Sequence, residues 1–166
     1  NATSFAALSA TQIKGLNATQ LKALDATDIS NFADTQVAAL TATQLGALSA
    51  TNVSALNATQ VAVLDATQLK GLTATQVAGL NATDVGELSA TQVGALAVTQ
   101  IAALSAANVS ALNATQVGAL GIGQVKGLTS TQLAGLNTTD IGQLSATQVS
   151  ALGATQISAL SATSVS

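Results

Sequence analysis

One pattern constrains this chain more than any other. From Ala7 to Ser166 the sequence is twenty consecutive octads, of which Ala7–Lys14 (Ala-Leu-Ser-Ala-Thr-Gln-Ile-Lys) is the type. With the octad slots lettered a to h, slot b is Leu in nineteen of twenty, the exception being Phe32, and slot g is always Ile, Leu or Val. Slot c is Ser, Thr, Asn or Asp in sixteen, slot d Ala in fifteen, slot e Thr in eighteen and slot f Gln in fourteen. Self-similarity at a short fixed period is the signature of a solenoid or fibrous array.

An unbroken helix cannot use this period. Eight residues advance two turns plus roughly 80°, so the aliphatic stripe would wind around the axis. A helix restarted once per octad fits every slot. Slot c carries N-cap residues. Gln three residues later completes the capping box, and Leu at b with the aliphatic at g forms the hydrophobic staple. A helix of about seven residues, or two turns, then runs from d to the next a or b. Such a helix is marginal alone. It must pack slots b, g and d against neighbouring octads. The expected fold is therefore all-α, a solenoid of about twenty two-turn helices. A short-period β-solenoid is the alternative, since Thr and Val favour strands. Against it, b and g lie five apart, on opposite faces of one strand.

A second period lies over the first. Lys14, Lys70 and Lys126 are seven octads apart, as are Asp28, Asp84 and Asp140, and as are Asn31, Glu87 and Gln143. Asn52, Asn108 and Ser164 follow the same interval. Residues 1–166 thus form one array, with super-repeats at approximately 7–62, 63–118 and 119–166, and the absence of distinct capping octads suggests a segment of something longer. Block duplication accounts for the long period. If seven octads also complete whole superhelical turns, these sets become lateral contact rows. The acidic sets otherwise make a solvated polar face, and two oxygen donors per site are too few for calcium.

Composition removes most chemistry. Charged residues are 7% and aromatics 1%, and there is no Cys or His. That excludes disulfides and the usual zinc or haem ligand sets, and no cofactor is implied. A net charge of −3 gives no nucleic-acid footprint. No apolar run reaches the roughly 18 residues needed to span a bilayer, so membrane insertion is not expected. Without a base or an activated nucleophile, the chain is not expected to be an enzyme. Asn-x-Thr/Ser triplets, as at Asn17 and Asn57, fall out of the capping grammar. The octad at Gly121–Gly123 lacks its cap side chain and is a candidate bend.

Octads such as Ala47–Val53 and Ala151–Ile157 resemble the repeat arrays of very large bacterial surface proteins labelled haem utilisation or adhesion proteins. The resemblance covers the whole chain as a repeat grammar. It implies an extracellular or cell-surface location and a role in adhesion or scaffolding. The haem label lacks ligating residues here. The expected function is a non-catalytic rod or filament-forming scaffold that self-associates head-to-tail or laterally. An adhesin or ice-binding face built on the Thr and Gln columns, with a surface or carbohydrate ligand, is the alternative.

Overall fold

The structure, a computed structural model, describes Phe5 and residues 7–160. One short helix per octad runs from Ala10–Lys14 to Ala154–Ala159, nineteen in all among the described residues, with no strand among them. The chain is an all-α repeat solenoid, and the β alternative is set aside.

The local grammar acts as expected. In the helix Ala42–Ala47 the Thr41 side chain accepts from the Gln44 N–H, and the Thr41 N–H donates back to Gln44 Oε1 at 2.9 Å. The helices are shorter than two turns, however, at five or six residues. The chain leaves the helix at slot a or b, where Leu48 is already extended, while its N–H still donates to the Leu45 carbonyl at 3.1 Å. A staple residue cannot both continue one helix and stand before the N-cap of the next. No described residue has positive φ. Glycine at slot a therefore does not end helices by a left-handed cap.

Each helix packs against the third one along, as Ala42–Ala47 does against Ala66–Gly71 and Ala74–Ala78 against Val98–Ala103. Hydrogen bonds between turns join residues 28 and 31 apart, as in Gln44 to Leu16 and Gln44 to Ile13. A turn of the spiral thus takes 28 residues, which is three and a half octads of eight. Helices on one turn lie over linkers on the next, and two turns, or seven octads, restore the register. Helix packing distances put successive turns about 8–10 Å apart.

The core is a single column of slots b and g. Ile13, Leu21, Leu45, Ile101 and Leu133 have no exposed surface, and Leu40 and Leu136 are 2% exposed. Burying each such side chain contributes about 1.5–3 kcal/mol. Phe32 fits the Leu column and is buried. Ala at slot d does not join this core as expected: Ala10, Ala18, Ala58 and Ala82 are exposed. Its small size serves contact between turns instead. A Cβ on Gly71 would lie 2.5 Å from the Ala42 carbonyl oxygen and 2.6 Å from the Ala42 Cβ, closer than packed atoms sit. Small residues at a and d let the turns approach.

Candidate functional site

The polar feature that organises the spiral is slot f. Its side chain sits at N3 of its helix, facing the preceding turn. From Gln36 to Gln148 the Gln residues here are buried, Gln60 completely. Each uses both ends of its carboxamide. In Gln76, Oε1 accepts from the Thr73 N–H at 2.7 Å, while Nε2 donates to the Leu45 and Leu48 carbonyls at 2.7 and 2.8 Å. Gln100 and Gln132 repeat this with the carbonyls of Leu69 and Leu72, and of Ile101 and Leu104. The linker carbonyl at slot b precedes its N-cap and has no acceptor role within a helix. Buried backbone carbonyls need a donor, and the Gln one turn later supplies it. The side chain that starts one helix thereby fastens the turn before it.

Asn and Asp divide these two tasks. Asn52 and Asn108, 2% exposed, donate from Nδ2 to the Leu24 and Leu80 carbonyls at 2.8 and 2.7 Å. They are too short to reach back as well, and neither completes a capping box. Asp does the reverse. Asp28, Asp84 and Asp140 accept through Oδ2 from the N–H groups of Asp25, Asn81 and Asn137 at 3.1, 2.9 and 3.2 Å. A carboxylate has no donor to offer. No hydrogen bond from a described residue reaches the Leu56 or Leu112 carbonyl, which lie one turn before Asp84 and Asp140.

These placements correct the solvated acidic face. Asp28, Asp84 and Asp140 are 9%, 7% and 3% exposed and point into the spiral; the capping box that defines N3 turns them inward. Buried carboxylates cannot serve as a lateral row. Asn31 and Gln143 are exposed and Glu87 is half-buried, each closing its helix in right-handed conformation. Asn31 donates from Nδ2 to the Thr27 carbonyl at 2.8 Å. Lys14, Lys70 and Lys126 are exposed and recur at an interval of seven octads. Ser164 lies outside the described residues.

The remaining sequence candidates resolve simply. From Gln36 to Gln148 the Gln column is structural and inaccessible, whereas the Thr residues of slot e, such as Thr43, Thr75 and Thr131, are exposed. Asn17, Asn57, Asn81, Asn113 and Asn137 are exposed N-caps whose Oδ1 accepts from the N3 N–H. The octad at Gly121 does form a helix, Ile122–Gly127. It lacks the side-chain cap, but Gln124 still accepts from the Gly121 N–H at 2.6 Å and donates to the Leu96 carbonyl at 2.7 Å.

Residues 125–162 match the family model described as the ALTTAQ repeat, which supports a repeat array in this part of the chain. No curated protein and no solved structure matches the chain.

Proposed function

We propose that this chain is a non-catalytic structural scaffold, a rod segment of an extracellular or cell-surface bacterial protein. The observation that carries this reading is the buried ladder at slot f, in which recurring Gln side chains hold one turn to the next. A spiral whose stability is a sum of neighbouring-turn contacts extends by adding octads, which suits a spacer. Self-association is part of the proposal. Lateral contact falls to the Lys14, Lys70 and Lys126 row, spaced about 16–20 Å by the packing of two turns.

The adhesion label rests on the resemblance of octads such as Ala47–Val53 to large surface proteins, and adhesion by an attached domain is compatible with a rod. An ice- or carbohydrate-binding Thr face is the weaker reading. Successive Thr residues are one octad apart, two-sevenths of a 28-residue turn, so they run around the rod rather than line one face.

Small-angle scattering and sedimentation of the whole chain test the reading. A particle of constant narrow cross-section, with mass rising with concentration, is the expected result. A compact particle would overturn the rod. Thermal hysteresis or retention on a glycan surface would replace the scaffold with the binding face.

A further inference from the structure

The Asp layers contain a polar gap that the Gln and Asn layers lack. Leu56 is 4% exposed, and its carbonyl receives no donor from a described residue. The side chain that occupies the donor's place is the carboxylate of Asp84, 7% exposed, with Oδ2 held by the Asn81 N–H and the Ser54 hydroxyl at 2.9 and 3.0 Å. Asp84 and Leu56 line one cavity of about 20 Å³, otherwise walled by aliphatic side chains that include Val53, Leu64 and Leu88. Asp84 and Leu56 thus border one small, mainly aliphatic space in a layer that has no slot-f N–H₂ group to meet the Leu56 carbonyl. About 10–15 Å³ admits one water, provided it finds polar partners.

We propose that a single buried water occupies this cavity, donating one hydrogen to the Leu56 carbonyl and the other to the Asp84 carboxylate. It takes the role that Nδ2 of Asn108 has on Leu80. Asp140 and Leu112, both 3% exposed, stand in the same relation of sequence one super-repeat later. The spiral then carries an exchangeable link every second turn, between turns that are otherwise joined side chain to backbone.

A high-resolution crystal structure of the whole chain, combined with site-resolved amide exchange, tests this. The expected density is one water within hydrogen-bond distance of both Leu56 O and Asp84. In Asp84→Asn the water is lost, Nδ2 sits on Leu56 O, and exchange at Val85 and Leu88 slows roughly three- to tenfold. A metal ion in the site, a direct carboxyl–carbonyl contact without water, or unchanged exchange in Asp84→Asn would overturn the proposal. So would failure of Asp84→Asn to fold, because Asn52 and Asn108 already occupy this slot. Asp140→Asn at Leu112 repeats the measurement at an independent site.

Discussion

The layers at Asn108 and Asp84 differ at slot f by an amide in place of a carboxylate, side chains of the same shape. Asn108 fastens the Leu80 carbonyl of the preceding turn and leaves the Ser105 N–H without a return bond. Asp84 closes the capping box on Asn81 and leaves the Leu56 carbonyl without a protein donor. Gln does both because one more methylene gives its carboxamide the reach to meet the N-cap N–H and the preceding turn's carbonyl at once. Starting a helix and joining two turns are therefore separable tasks, and slot f shows each performed alone.

Removing both tasks gives the largest expected effect. Gln132→Ala strips the bonds to the Thr129 N–H and to the Ile101 and Leu104 carbonyls, and should cost about 3 kcal/mol or more, since buried acceptors are left unmet. Urea denaturation measures it; a cost near that of an exposed alanine substitution would remove the basis of the comparison. Next comes Asn108→Asp, which turns one layer into the other. It gains a box and loses the Leu80 bond, for a net loss of about 1–2 kcal/mol by the same measurement. An increase in stability would mean that the box, rather than the tie between turns, dominates. Ser105→Ala is expected to cost about 1 kcal/mol. That should exceed Ser89→Ala, because the Ser89 N–H keeps its bond to Gln92 at 2.8 Å; equal thermal shifts would show that the two halves of the box act independently. The smallest effect is a gain. Asn108→Gln restores the return bond and should stabilise by about 0.5–1 kcal/mol, visible as slower amide exchange at Val109.

Much of this fold is legible in a single octad. Ser9, Gln12 and Ile13 announce a helix start, and the structure forms that start with the Ser9 N–H on Gln12 Oε1 at 2.8 Å. The helix ends were less legible, because Leu at slot b is claimed by two neighbours and the N-cap of the next helix wins. Contacts across turns were not legible at all. Nothing near Gln44 in sequence indicates that its other end will meet Leu16; that depends on the spiral's pitch, a property of the assembled stack. For the same reason the inward aim of Asp84 escaped the pattern, and Ala at slot d looked like core. The seven-octad recurrences, of which Lys14, Lys70 and Lys126 are one set, were the sequence features with the length of two turns.

The three-and-a-half-octad turn has a consequence for how such a chain tolerates insertion and deletion. Because slots b and f recur every eight residues, adding one octad still leaves a slot b 28 residues behind every slot f, so each tie finds an equivalent carbonyl. The interior cannot distinguish the lengthened chain from the original. The surface can, since everything beyond the insertion is rotated by two-sevenths of a turn relative to what precedes it. Only gains or losses of seven octads leave the orientation unchanged. Length and facing can thus vary in steps, one octad at a time, with no compensating change inside.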